Sequence, residues 1–102
     1  MPTLEEARTY LGIDYPDTVT DANITRCLST AEQILAGSVG ADAGTYLPGD
    51  SRIRELVLIY MEDLYSQRGM AAKVTGATRR LVSDMELQLR LELARAKEAA
   101  GR

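Results

Sequence analysis

The chain has 102 residues, enough for one small domain (residues 1–102) with a single core, and this size leaves little room for an enclosed active site. Hydrophobic residues make up 45 % of a chain without Trp or Phe, so Leu, Ile, Val, Ala and Met must build the core. The net charge of -3 disfavours a general nucleic-acid binder, and no apolar run reaches the roughly 20 residues needed to span a membrane.

The first predicted element is a short helix near the N-terminus. Its start, Thr3-Leu-Glu-Glu6, is a capping-box pattern, in which the Thr hydroxyl and the Glu carboxylate satisfy each other's backbone N–H groups. Gly12 is a natural stop. Residues 13–17 predict a turn, because Pro16 steers the residue before it away from helical geometry.

The second helix is predicted to start near Thr20 or Asp21 and to end between Gly37 and Gly40. Its apolar residues recur at i, i+3, i+4 and i+7, which places them on one side that we expect to be core. These residues are Ile24, Cys27, Leu28, Ala31, Ile34 and Leu35. The lone cysteine cannot close an intramolecular disulfide, and its place in the stripe predicts a buried small hydrophobe.

Residues 37–49 form a glycine-rich connection that predicts a loop, with bulky Tyr46 and Leu47 folded back over the core. Asp50 or Ser51 then caps the third helix, because either side-chain oxygen can accept an N–H of the first turn.

The third helix carries more large hydrophobic side chains than one helix face can hold. One stripe consists of Ile53, Leu56, Val57, Tyr60 and Leu64. Outside it or at its edges lie Leu58, Ile59, Met61 and Tyr65. Such a helix is buried on most sides, and two explanations stay open: a central place in its own bundle, or burial between subunits.

We predict a loop over residues 69–77 and a helix cap at Thr78. A final helix over residues 79–99 follows and is about 30 Å long. The inner apolar stripe of this helix is Leu81, Val82, Met85, Leu89 and Leu93. A second, narrower stripe is Leu87, Leu91 and Ala94. Two stripes imply two partners for one helix. The predicted fold is all-α, a small bundle of about four helices with a long C-terminal helix.

Residue types needed for catalysis are scarce. The chain has no His, the side chain most often used for proton transfer near neutral pH and the commonest nitrogen ligand of zinc. The acidic pairs Glu5-Glu6 and Glu62-Asp63 diverge around their helix axes, which is poor geometry for a shared proton or a metal. Residues 37–44 lack the Gly-Lys-Ser/Thr ending of a phosphate-binding loop. We expect no enzymatic activity, cofactor or metal.

Four basic residues cluster in sequence around the connection between the third and fourth helices. They are Arg68, Lys73, Arg79 and Arg80. Such a cluster can contact phosphates or an acidic partner surface. The alternative is a solvated loop with ordinary helix-end charges, which the sequence alone favours.

Four stretches, in their order and spacing, indicate a protein family. They are Tyr10-Leu-Gly-Ile-Asp14, then Asp21, Ile24, Leu28, Ala31 and Glu32, then residues 53–68 ending in Tyr65-Ser-Gln-Arg68, and finally Arg80-Leu-Val-Ser-Asp-Met-Glu-Leu-Gln-Leu-Arg-Leu-Glu92. Over nearly its whole length the chain resembles the small head-tail connector proteins of tailed double-stranded-DNA phages, also called head-completion adaptors or DNA-packaging proteins. It departs from the family at residues 37–49, where relatives often have a shorter turn.

The resemblance implies a non-enzymatic virion protein at the head-tail junction, made in the cytoplasm of the bacterial host. Its copies would form a ring of roughly a dozen subunits below the portal protein, through head-to-tail contacts. The ring would extend the channel for passing double-stranded DNA without sequence-specific binding, and it would dock a tail-side connector or stopper protein.

In that setting the surplus apolar residues are candidate contacts between subunits. These candidates are Leu58, Ile59, Met61, Leu87 and Leu91. The basic residues are candidate contacts to the portal, the tail or the DNA channel. These are Arg68, Lys73, Arg79 and Arg80.

A second class of function is a small helical DNA-associated packaging or regulatory protein that uses the same basic cluster. It predicts duplex binding that weakens steeply with salt. The acidic total and the lack of a convincing recognition helix weigh against it. A carboxylate-based hydrolase would need a metal or substrate pocket that the sequence does not supply.

Overall fold

The computed structural model of the chain describes residues 2–66 and 76–101, and the side chains of residues 2–65 and 79–101. Within these ranges the chain forms five helices and no strand, which confirms the predicted all-α fold with a long C-terminal helix. The helices are α1 (Leu4–Leu11), α2 (Thr18–Ser38), α3 (Ala43–Tyr46), α4 (Ser51–Ser66) and α5 (Gly76–Ala100). None of the described helices is long and apolar enough to cross a membrane.

Side-chain hydrogen bonds fix the ends of the first two helices. Thr3 Oγ1 accepts from the Glu6 N–H at 3.1 Å and Glu6 Oε1 accepts from the Thr3 N–H at 3.4 Å, so the predicted capping box is confirmed. Gly12 ends α1 in the left-handed conformation, with φ 76°. The second helix begins earlier than predicted, because the Asp17 carboxylate caps it by accepting from the Thr20 N–H at 3.1 Å.

The connection after α2 holds one short helix, α3, where the sequence predicted only a loop. Ala43 of this helix is buried, and Leu47 packs against the core as predicted. Tyr46 is exposed, so the prediction that it also covers the core was wrong. Gly40 adopts φ 152°, and a Cβ there would stand 2.5 Å from Leu93 Cδ2. The connection therefore needs glycine at this position so that α5 can approach it closely.

The core lies mainly between α2 and α4, which are the most extensively packed pair of helices. On α4, Leu56, Val57 and Met61 have no exposed surface, and Ile53 and Leu58 are nearly as enclosed. Of the two explanations for the apolar surplus of this helix, a central place in its own bundle is correct. α4 starts where predicted: the Asp50 carboxylate accepts from the backbone N–H of the second residue of the helix at 2.9 Å.

Two residues that the sequence assigned to core stripes are exposed. Ile34 is 39 % exposed and Leu81 is 56 % exposed. Each lies at the edge of its stripe, Ile34 about 80° and Leu81 about 100° from the direction in which the buried residues of its helix point. Leu89 and Leu93 carry the inner side of α5, and Cys27 is buried as predicted.

The last helix begins at Gly76, so Thr78 lies inside it and is not its cap. Polar side chains attach this helix to the rest of the fold. Arg52 of α4 binds Asp50 at 2.7 Å and Glu92 of α5 at 2.5 Å, and its guanidinium lowers the pKa of both carboxyl groups through hydrogen bonds. One arginine therefore holds the start of α4 against the middle of α5.

A second polar contact joins α2, α4 and α5. The Tyr60 hydroxyl donates to Glu86 Oε2 at 2.6 Å and lies 3.2 Å from the Ser38 hydroxyl. Arg90 donates to the Ser38 carbonyl at 3.0 Å. Burial, together with the neighbouring Glu86, raises the pKa of Tyr60 to about 12, because both disfavour the phenolate. The protonated tyrosine is thus a stable part of this contact.

Candidate interaction surfaces

The side of α5 that faces away from the core carries a strip of exposed apolar residues. Leu87 is 52 % exposed and Leu91 is 53 % exposed, and Ala94, also exposed, follows within one turn. At 3.6 residues per turn these three residues line up along the helix, on the side opposite to the buried Leu89. We call Leu87, Leu91 and Ala94 the outer strip.

The five residues predicted as subunit contacts fall into two groups. Leu87 and Leu91 are on the surface, where a partner can reach them. Leu58, Ile59 and Met61 are all buried within the chain, and the prediction needs correction for Met61, which has no exposed surface. Leu58 and Ile59 keep small exposed fractions of 7 % and 9 %. A side chain without exposed surface offers nothing to a neighbouring subunit unless the bundle opens.

Two of the four predicted basic contacts can be placed. Arg79 and Arg80 are exposed near the start of α5, and Arg79 lines a cleft between α4 and α5. Arg80 lies two turns before Leu87, and helical geometry puts it on the same side as the outer strip. Arg68 and Lys73 lie outside the described residues.

A second surface, which sequence reasoning missed, is an open groove between α1 and α4. Its volume is about 500 Å³, and it is lined by Thr3, Glu5, Glu6, Thr9 and Leu58. The groove joins residues from distant parts of the chain, so no single sequence segment could reveal it.

Negative charge is concentrated beside this groove. Burial and then the charges of Glu62 and Glu55 raise the pKa of the Tyr10 hydroxyl on α1. Glu6 is paired with Arg54 at 3.2 Å, which holds α1 against α4. Glu55 and Glu62 of α4 do not line the groove but lie near Tyr10 of α1, which neighbours it. We call the groove, together with these two nearby carboxylates, the acidic groove.

Among the described residues, no three or more Cys, Asp or Glu side chains form a group that could hold a metal ion. Cys27 is enclosed, and burial raises the pKa of its thiol, which disfavours the reactive thiolate. No family model, curated protein or solved structure matches the chain.

Proposed function

We propose that the protein is a structural head-tail connector subunit of a tailed phage, which forms a ring between the portal and the tail-side proteins. Two independent features support this proposal. The sequence resembles that family over nearly its whole length, and the chain exposes a strip of apolar residues on α5 in addition to its buried core. The single observation that carries the proposal is the outer strip.

The outer strip is unusual for a helix at the edge of a small bundle. Such a helix normally buries one apolar stripe and presents charged or polar residues to water on the opposite side. Here α5 buries Leu89 and Leu93 and still presents Leu87 and Leu91, about half exposed, on the opposite side. Burial of two half-exposed leucines against a partner would contribute about 2 kcal/mol, because full burial of one leucine side chain contributes roughly 1.5 to 3 kcal/mol. Covering these two side chains therefore favours association of α5 with a second partner, provided that further contacts offset the entropic cost of association.

The basic start of α5 fits the same role. Arg79 and Arg80 are exposed and lie at one end of the helix that bears the outer strip. In a ring whose subunits touch through α5, this end would be repeated in every copy as a band of positive charge. Such a band suits the phosphates of passing DNA or an acidic surface of the portal or tail.

The outer strip is tested by Leu87→Glu combined with Leu91→Glu. We expect the double variant to remain helical and monomeric, because both positions face water in the single chain. It should fail to join heads to tails when it replaces the wild-type chain in particle assembly. The matched control is Leu81→Glu, which changes an equally exposed leucine about a third of a turn away from Leu87. Normal assembly by the double variant would contradict the proposal.

The position of the chain in the intact particle is the direct test of its role. We expect a cryo-electron microscopy map of the tailed particle to show this helical subunit repeated in a ring immediately below the portal. Absence of the chain from the head-tail junction would overturn the proposed function.

A further inference from the structure

We propose that the outer strip of one copy docks in the acidic groove of the next copy. This inference rests on the proposed function, and it names the two surfaces that make the contact between subunits. Neither surface needs to change shape in the single chain, because both are already exposed. The occupant of the outer strip is thus a second copy of the same chain.

The first step is the placement of the two surfaces on the molecule. Arg54 and Leu58 of α4 face α1 and the acidic groove, whereas Tyr60 and Asp63 of α4 face α5. At 3.6 residues per turn these two pairs point a third to a half of a turn apart around the axis of α4. The acidic groove and α5 therefore flank the central helix on different sides, and one chain can use both surfaces at once.

The second step is the match in size. The outer strip from Leu87 to Ala94 is about 10 Å long, at 1.5 Å per residue. The groove runs beside α1, whose 8 residues extend about 12 Å. Its volume of about 500 Å³ accommodates two leucine side chains, and Leu58 gives it an apolar wall. The groove is open to solvent, and α1 beside it is about as long as the strip, so the strip can lie along it.

The third step is charge. On α5 the exposed charged side chains are five basic and two acidic. The basic ones are Arg79, Arg80, Arg90, Arg95 and Lys97, and the acidic ones are Asp84 and Glu98. Lys97 is paired with Asp42 and Glu92 is paired with Arg52, whereas Glu86 accepts a hydrogen bond from the uncharged Tyr60 hydroxyl. Without Lys97, four exposed basic side chains remain against two acidic ones. The exposed surface of α5 is thus net positive, and it is complementary to the acidic groove.

The same charges disfavour pairing of one outer strip with another. Two α5 helices packed on each other would bring together two surfaces of the same net sign, which costs association free energy. A contact between two different surfaces of identical chains is heterologous, and it closes into a ring when the rotation between copies allows. The chemistry of the surfaces therefore selects the kind of contact that a ring needs.

Cysteine cross-linking tests this contact directly. The wild-type chain is a suitable background because its only cysteine, Cys27, is buried. One variant carries Thr9→Cys in the groove and another carries Leu91→Cys in the strip, and the two are mixed at millimolar concentration with a short bis-maleimide. We expect the yield of mixed dimer to be at least about tenfold greater than when Leu81→Cys replaces Leu91→Cys as a control. A tenfold ratio of yields corresponds to a small difference in association free energy, about 1.4 kcal/mol.

Complementation gives a second measurement on the same contact. Leu87→Glu with Leu91→Glu removes the strip and keeps the groove, whereas Glu5→Lys with Glu55→Lys reverses the groove and keeps the strip. We expect each variant alone to self-associate at least about tenfold more weakly than the wild-type chain, and their mixture to form one-to-one pairs without larger species. Asp14→Lys, a charge reversal in the exposed turn after α1, should leave self-association unchanged.

Three outcomes would overturn the contact. If Leu91→Cys and Leu81→Cys cross-link equally well to Thr9→Cys in the groove, the contact between strip and groove is not specific. A dominant Leu91→Cys homodimer would show strip-to-strip pairing. Failure of the two complementary variants to pair, together with no specific cross-link, would assign the strip to a different protein. The chain can still occupy the head-tail junction in all three cases, so the map of the particle separates failure of this contact from failure of the proposed function.

Discussion

Helices α4 and α5 show that the same excess of apolar residues can have opposite outcomes. The apolar residues of α4 are buried nearly all round the helix, since α1, α2 and α5 all pack against it, whereas Ser51, Arg54 and Glu55 stay exposed. α5 is longer, with 25 residues, and it contacts α3 and α4 through one side only. Its second apolar stripe therefore faces water. An apolar surplus marks a central helix in the first case and an exposed apolar strip, our proposed association surface, in the second.

The largest expected effect comes from truncating one buried side chain of α4, with one exposed side chain of α5 truncated for comparison. Met61→Ala should lower the free energy of unfolding by about 3 kcal/mol, because it leaves a cavity in a fully enclosed site. Leu87→Ala should change it by less than about 0.5 kcal/mol, because the side chain already faces water. Urea unfolding of the isolated chain measures both. Similar effects at the two positions would mean that α5 is packed on both sides.

A smaller change in the free energy of unfolding is expected at Gly40, where α5 approaches the connection after α2. Gly40→Ala should lower the free energy of unfolding by about 1.5 kcal/mol, because its Cβ would meet Leu93 and its φ of 152° disfavours a side chain. Gly37→Ala is the matched control inside α2. It meets no atom within 4 Å and should raise the free energy of unfolding by about 0.5 kcal/mol, since alanine favours helices. Thermal unfolding of the two variants provides the comparison.

The smallest effect concerns the polar contact between α4 and α5. Tyr60→Phe should lower the free energy of unfolding by about 1 kcal/mol at neutral pH, through loss of the hydrogen bond to Glu86. The pKa of Tyr60 is about 12 in the fold and about 10 in an unfolded chain. The unfolded state therefore releases its proton first as the pH rises.

The contribution of Tyr60 is thus complete below pH 10 and is lost as the pH rises towards about 12. Denaturant titrations between these pH values should show a steeper loss of stability in the wild-type chain than in Tyr60→Phe. Parallel pH profiles for the two chains would mean that the hydroxyl is not held by Glu86.

Local patterns in the sequence were sufficient to predict much of the fold. The capping box at Thr3, the stop at Gly12 and the burial of Cys27 depend on neighbours in the chain or on helical spacing, and all three are confirmed. The start of α2 was misplaced because Asp17 was assigned to the preceding turn. The same side chain that favours a turn also caps a helix, and only the backbone that follows distinguishes the two.

Tertiary placement could not be predicted from the same patterns. Leu81 and Leu89 are the same residue type on the same helix, yet Leu89 is buried and Leu81 is exposed, because only the direction of contact with α4 separates them. Likewise, Met61 was assigned to a subunit contact because the number of helices around α4 is not encoded locally. The acidic groove was missed because its walls come from α1 and α4.

The polar contacts of α5 also set an order of opening within the fold. Three polar contacts hold this helix in addition to its buried Leu89 and Leu93, whereas α2 and α4 are held together mainly by apolar packing. The polar contacts are Arg52 to Glu92, Tyr60 to Glu86 and Lys97 to Asp42. Exposed ion pairs weaken as salt rises, but buried apolar packing does not. We therefore expect the amide hydrogens of α5 to exchange with solvent when that helix alone detaches, and to exchange faster in high salt. The amide hydrogens of α2 and α4 should exchange only through global unfolding.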